Sequence, residues 1–244
     1  MNAIAVIPAR LASTRLPRKA LREIAGKPLI GLVYEAVRSS PLLTKVVIAT
    51  DSEEIMAVCR AGGWPAQMTS ATHRSGTERV HEVSEREAAD IYVNVQGDEP
   101  LTRPEHIASL LQVMENPAAL VGTLMTPAAE ADIANPHAVK VVTDLGGRAL
   151  YFSRATIPFD RDRIRPGDAK HRYFKHLGLY AYRKPALDRF VKLPQSPLEE
   201  RERLEQLRFL DNGIPIFVGE TPHDSIGVDT AEDLQRVIEI LRSR

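Results

Sequence analysis

Cysteine is nearly missing from this 244-residue chain. Cys59 stands alone, which excludes a disulfide framework within the chain and points to a reducing compartment. Because it falls inside a helical pattern, it reads as a small core residue. Net charge is absent too: 32 Lys and Arg balance 32 Asp and Glu. That balance excludes wholesale nucleic-acid binding, so any cationic site must be local. No apolar run approaches the roughly 20 residues of a membrane span. The start, MNAIAVIPAR, has neither the charged nor the long apolar region of a leader. A soluble cytoplasmic protein with no nucleic-acid or membrane partner is the expectation. Two phosphate-binding fingerprints are also missing, G-x-x-x-x-G-K-[ST] and G-x-G-x-x-G. Phosphates, if bound, must be held mainly by side chains.

What is present is an alternation of short β-rich runs and helical patterns. Residues 4–7, 46–49, 91–95 and 120–124 read as buried parallel strands. Residues 28–39, 52–61, 76–87 and 104–115 read as the intervening helices. The alternation predicts βαβ units and a mostly parallel sheet with helices on both faces. SGTE at 75–78 and TAED at 230–233 resemble capping boxes, the second with Asp in place of Glu. After about residue 139 the rhythm changes. AVKVV, ALYFS and LGLYAYR follow one another with turns between, as in an antiparallel or mixed insertion spanning about 139–213 of a single 1–244 domain. SPLEERERLEQLRFL then reads as one helical stretch, followed by a strand at 214–218 and an amphipathic helix at 231–242. Residues 161–170, charged and carrying Pro166 and Gly167, read as a mobile loop.

Three features carry chemistry. The loop after the first strand collects Arg10, Arg15, Arg18 and Lys19 with no acid until Glu23, and adds the hydroxyls of Ser13 and Thr14. In open α/β sheets ligands bind at the carboxyl ends of strands, and this loop sits at such an end. Arginine forks and a compact lysine charge suit polyphosphate. Asp98, in NVQGDEP, follows another strand and can offer oxygens to a hard cation such as Mg²⁺, although Asp-Glu-Pro is also ordinary turn chemistry. Asp229, in GVDTAEDL, precedes the Thr230 cap, where an acid is favourable in any case. Together they describe a metal-nucleotide site.

The blocks IPARLASTRLPRKAL, HRSGTERV, NVQGDEP, ALYFSRATIPFDRDR, KHLGLYAYR, SPLEERERLEQLRFL and GVDTAEDL closely resemble the 3-deoxy-manno-octulosonate cytidylyltransferase family, collinearly over nearly the whole chain. The resemblance implies a nucleotide-diphospho-sugar transferase-like α/β fold, a homodimer, Mg²⁺ as cofactor, and CTP and 3-deoxy-manno-octulosonate (Kdo) as substrates in lipopolysaccharide biosynthesis. Arg10, Ser13, Arg15 and Lys19 would grip the CTP phosphates, with Ser75, Gly76 and Gln96 beside the nucleotide. Arg15 and Lys19 would act with Asp98 and Asp229 in catalysis, the two aspartates as metal ligands. Arg154, Arg161, His176, Tyr180, Glu205 and Gln206 would bind the sugar, arginine and histidine facing its carboxylate. Arg18 stands where the family usually has glycine; if glycine there adopts positive φ, Arg18 must strain or re-route the loop. The same chemistry on an 8-amino analogue or a nonulosonic acid is the nearest alternative, and a non-catalytic nucleotide sensor a more distant one.

Overall fold

The structure is a computed structural model and describes residues 1–12, 16–161, 172–228 and 230–242. Ser13, Arg15, Asp229 and most of the 161–170 loop therefore lie outside the described residues. In chain order the elements begin with strand β1 (Ala3–Ala9), a 3-10 turn at Lys19–Leu21, and the short strands β2 (Glu23–Ile24) and β3 (Lys27–Pro28). Helix α1 (Leu29–Arg38), β4 (Lys45–Thr50), α2 (Glu53–Gly62), β5 (Ala66–Met68), α3 (Gly76–Arg86), β6 (Ile91–Asn94), α4 (Pro104–Val113) and β7 (Val121–Pro127) follow. The second half holds α5 (Glu130–Ile133), β8 (Lys140–Thr143), β9 (Ala149–Ser153), β10 (Phe174–Tyr182), α6 (Lys184–Phe190), α7 (Pro197–Glu202), α8 (Leu207–Asp211), β11 (Ile216–Glu220) and α9 (Ala231–Arg242).

The main sheet runs β11-β7-β10-β6-β1-β4-β5. Neighbours are parallel except at β10, which is antiparallel to both β6 and β7. The run LGLYAYR thus lies in the middle of the main sheet, while β8 and β9 form the antiparallel extension hung from the start of β10. Alternation along β1 explains the layers. Ala3, Ala5 and Ile7 join one apolar core with Leu29, Val33, Ile55, Ile107 and Leu110 of the helices on that face. Ile4 and Val6 join the other with Val80 and Val83 of α3 and with Phe190 and Phe209. Successive strand side chains point to opposite faces, so a strand apolar on both is buried between two helical layers. Cys59 is fully buried in the first core, and burial pushes its thiol up to about 11.

Both expected caps form. Ser75 Oγ accepts the Glu78 amide at the start of α3, and Thr230 and Asp233 exchange reciprocal bonds at the start of α9. The expected single helix over SPLEERERLEQLRFL is instead two. Helix α7 ends at Arg203, whose φ of 55° is left-handed, and α8 begins only at Leu207. A bidentate Arg208–Glu199 pair at 2.6 and 2.8 Å, buried on both sides, holds the resulting corner. The Arg208 guanidinium also lies 4.2 Å over the Phe190 ring. Completing the helix would forfeit that geometry, and breaking one partner of such a buried pair costs about 3–5 kcal/mol.

Two non-glycine residues near the N-terminus carry positive φ. Arg18 adopts φ 57°, so the loop keeps left-handed backbone on a residue with a side chain, and its guanidinium pairs with Glu54. Ala25 (φ 50°) and Gly26 (φ 78°) form the two-residue turn between β2 and β3, the doubly positive pattern of a type I′ hairpin. Alanine at its first position meets the Cβ–carbonyl crowding that asparagine tolerates better. Ala25 is exposed, so Ala25→Asn should stabilise the fold by about 0.5–1 kcal/mol, or roughly 2–4 °C at most in a chain of this size. Thermal melting is the check; an unchanged or lower midpoint would show that the turn is not strained.

Candidate active site

A cleft of about 430 Å³ opens at the carboxyl end of β6. Three segments build it: the chain following β6, the start of α3, and the middle of β10, with the α7–α8 corner closing the far side. Gly97 makes the first possible. A Cβ there would fall 2.6 Å from the Pro8 carbonyl oxygen, so only glycine lets the chain after β6 pass against the end of β1. Strand β10 contributes through an irregularity. Its register against β7 shifts between Leu177 and Tyr180, leaving two residues that have no paired partner there. The bulge turns the Gly178 carbonyl toward Gln96, which donates to it at 3.2 Å. A Cβ on Gly178 would sit 2.9 Å from Glu99 Oε1.

At one end of the cleft Asp98 is bound to the cationic loop, its Oδ2 2.5 Å from Lys19 Nζ. The Asp98 carbonyl accepts the Val228 amide at 2.8 Å, tying the segment before α9 to the same corner. Glu99, beside it in sequence, is buried and accepts Ser225 Oγ at 3.0 Å. Burial, reinforced by the Asp98 charge, pushes the Glu99 carboxyl up to about 7. Arg10 is exposed at the end of β1; partial burial and the neighbouring Arg79 both lower its pKa. Arg79 is itself fully buried, paired with Asp51 at 2.5 Å and donating to Thr69 Oγ1 at 2.6 Å. It braces the segment leading to Ser75 from beneath.

In the middle of the cleft, Glu205 accepts from Thr77 Oγ1 and from the Ser75 hydroxyl, and burial raises its pKa. Thr77 also meets the Tyr182 hydroxyl at 3.2 Å. Tyr180 and Tyr182 stack with ring centroids 5.8 Å apart. Asn94, buried on the floor, leaves its side-chain oxygen without a partner among the described residues. His176 lies against Phe152 and Tyr180, at 4.9 and 5.4 Å between ring centres. Its Nε2 is 2.9 Å from Thr123 Oγ1, whose single proton goes to the Leu179 carbonyl at 2.7 Å. Thr123 must therefore accept from His176 Nε2–H, which fixes the neutral tautomer with Nδ1 as acceptor. Burial pushes the imidazole down to about 3.

At the other end, Arg154 follows β9. Its Nε donates to the Glu202 carbonyl at 2.8 Å and its Nη1 to the Pro136 carbonyl at 3.0 Å. It makes no ion pair among the described residues. A guanidinium held by neutral carbonyls, with donors to spare, is suited to an anion.

Of the sequence-derived site residues, Gly76, Gln96 and Asp98 line the cleft near the nucleotide-side loop. Arg154, His176, Tyr180, Glu205 and Gln206 line its remainder. Three expectations change. His176, being neutral, brings no charge to a carboxylate and acts through hydrogen bonding instead. Glu205 and Gln206 lie not on the face of a charged helix but in the break between α7 and α8, where their side chains turn inward. Arg161 is exposed and does not line the cleft. Sequence reading missed Asn94, Tyr182 and Lys175 as lining residues. Asn94, a polar residue inside the apolar run IYVNV, was the available signal.

Comparisons with known proteins bear on the fold and the family. The family model described as "Cytidylyltransferase" matches residues 4–218. A 3-deoxy-manno-octulosonate cytidylyltransferase of Koribacter versatilis (strain Ellin345) is 64% identical over all of this chain and 92% of its own length. Its namesake from Geobacter sulfurreducens is 49% identical over 99% of this chain and 100% of its own. Among solved structures, a CMP:2-keto-3-deoxy-manno-octonic acid synthetase complexed with CTP is similar at a TM-score of 0.92 and 42% identity, covering 100% of this chain and 99% of that one. A 4-diphosphocytidyl-2C-methyl-D-erythritol synthase from Anaerococcus prevotii, at 12% identity and a TM-score of 0.64, shares the fold alone. With a family model covering most of its length and relatives this similar from end to end, the chain belongs to the 3-deoxy-manno-octulosonate cytidylyltransferase family.

Proposed function

We propose that this nucleotidyltransferase moves the cytidylyl group of CTP onto the anomeric hydroxyl of Kdo, giving CMP-Kdo and pyrophosphate. The observation that carries the reading is the polarity of one cleft. The Lys19–Asp98 pair stands at one end, the carbonyl-held Arg154 at the other, and hydroxyl and carboxyl groups lie between. A nucleotide triphosphate suits the first end, and a polyhydroxylated acid suits the rest.

In this reading Arg10, Ser13, Arg15 and Lys19 bind the phosphates, and Arg15 and Lys19 offset the charge on departing pyrophosphate. Ser75 and Gly76 open α3 beside the nucleotide, with Gln96 adjacent. Glu205, Gln206, Tyr180 and neutral His176 orient the sugar hydroxyls, and Arg154 takes the carboxylate. Arg161 has the weakest claim, because it stands outside the cleft. The residues fit a magnesium ion: no cluster of three or more ligating side chains exists among the described residues, but Mg²⁺ typically takes one or two carboxylates and completes its shell with water and phosphate. Held by Asp98 and Asp229, it would supply Lewis-acid polarisation of the α-phosphate and a lowered pKa at the attacking hydroxyl. Lys19 must then leave Asp98 for the phosphates, exchanging one ion pair for another. The product serves lipopolysaccharide assembly, and the protein works as a cytoplasmic homodimer. No helix among the described residues is long and apolar enough to cross a membrane.

Pyrophosphate release tests the reading, measured over the four nucleoside triphosphates and a panel of Kdo, 8-amino-Kdo and a nonulosonic acid. Turnover should require CTP and be highest with Kdo. Preference for another acid sugar would reassign the substrate, and no release with any sugar would favour a nucleotide sensor.

Lys19→Ala should weaken CTP binding far more than cytidine binding, since its charge meets phosphate and not base. Calorimetric titration with both ligands decides; an equal loss would indicate a folding effect. Asp98→Asn should melt near the parent temperature yet lose most turnover at every magnesium concentration, because an amide is a poor substitute for a carboxylate at a hard cation. Near-normal turnover would remove Asp98 from the site.

A further inference from the structure

Lys140, the first residue of β8, is wholly buried, yet no carboxylate pairs with it among the described residues. Its Nζ instead donates to three main-chain carbonyls: Asn135 at 2.7 Å, Ala138 at 2.6 Å and Arg154 at 2.8 Å. Three acceptors need three hydrogens, and only the ammonium form carries three, so the geometry holds the charge in place even though burial lowers the lysine's pKa. A buried cation is costly unless its donors are met, and here main-chain carbonyls meet all three.

Its bonds show what it fixes. The Arg154 carbonyl is held from below by Lys140, while the Arg154 amide is held by Glu202 Oε2 at 3.0 Å. The Glu202 carboxylate is itself anchored by Ser153 Oγ at 2.6 Å. The other two Lys140 acceptors lie in the loop at 135–138, and the Pro136 carbonyl of that loop receives Arg154 Nη1. Ala138 and its neighbour Val139 line the cleft. Lys140 thus clamps both the main chain of Arg154 and the loop on which the Arg154 guanidinium rests. It also places a second positive charge behind that guanidinium, with Asp132 and Glu202 as the nearby acids that partly offset it.

We propose that Lys140 is a positioning residue for the substrate's carboxylate: it sets the place and direction of the Arg154 guanidinium and adds to the field there, without touching the sugar itself. The inference rests on the reading that an acid sugar occupies the Arg154 end of the cleft.

The test compares Kdo with its C1 amide as competitive ligands, in the parent protein, Lys140→Met and Glu202→Gln, with CTP saturating. Turnover of Kdo by the parent enzyme is measured first and reports on the substrate reading alone; if another acid sugar is the one accepted, that sugar and its amide are used. Misplacing a binding group by about 1 Å can cost up to about 100-fold, so Lys140→Met should raise the KM for the acid sugar by about 10- to 100-fold. The amide's inhibition constant and the KM for CTP should stay within about twofold, a selective loss that general unfolding cannot produce. Glu202 is only partly buried, so Glu202→Gln is the safer variant for folding and should show a smaller loss of the same selectivity. If both variants weaken acid and amide equally, or leave the acid unaffected, Lys140 is a structural clamp alone and the proposal falls.

Discussion

Strand β10 has to satisfy three neighbours at once. It runs antiparallel to β6 and β7 in the middle of the main sheet, and its first residues also meet β8. Those demands are met only by letting two residues out of register between Leu177 and Tyr180. The freed main chain is then satisfied by side chains, Gln96 at the Gly178 carbonyl and Thr123 at the Leu179 carbonyl. A buried carbonyl without a partner is expensive, so these side chains are fixed in turn. The floor of the cleft follows from this. Gln96 is held beside Asp98, and Thr123 sets the tautomer of His176.

The charges beneath the cleft are placed by the same accounting. Arg79 faces Asp51, Arg208 faces Glu199, and Lys140 faces only carbonyls. Each sits under a segment that lines the site: the lead into α3, the α7–α8 corner, and the Arg154 strand end. Buried pairs are weak contributors to net stability but are very sensitive to loss of one partner. That sensitivity suits segments that must hold one geometry against the pull of a highly charged ligand. The visible cost is left-handed backbone at Arg203, where the corner turns inward.

Charge along the cleft is arranged so that its ends accept different anions. The Lys19–Asp98 pair is nearly neutral until one partner is drawn away, which makes it responsive to both cation and phosphate. Arg154 cannot relax in that way, since its guanidinium contacts are neutral carbonyls rather than a carboxylate partner it could release. Between the two, burial raises the pKa values of Glu205 and Glu99.

Much of this was legible in the residues. Continuous apolar runs marked β1, β4, β6 and β7 within a few residues, because strands buried on both faces leave little room for polar positions. Ser75 and Thr230 marked helix starts through local hydrogen-bond chemistry, which needs no tertiary partner. The cationic loop and Asp98 could be placed at strand ends for the same local reason. Beyond that, tertiary contacts decided. SPLEERERLEQLRFL has every local reason to be one helix, and only the Arg208–Glu199 pair with Phe190 beneath it makes the break that turns Glu205 and Gln206 inward. His176 reads as a cation in sequence, and only its burial against Phe152 and Thr123 makes it neutral. Nothing in AVKVV marks Lys140 as buried. Its burial is set by the loop at 135–138 folding over it and by the Arg154 carbonyl arriving from β9, contacts between segments whose meeting no local pattern encodes.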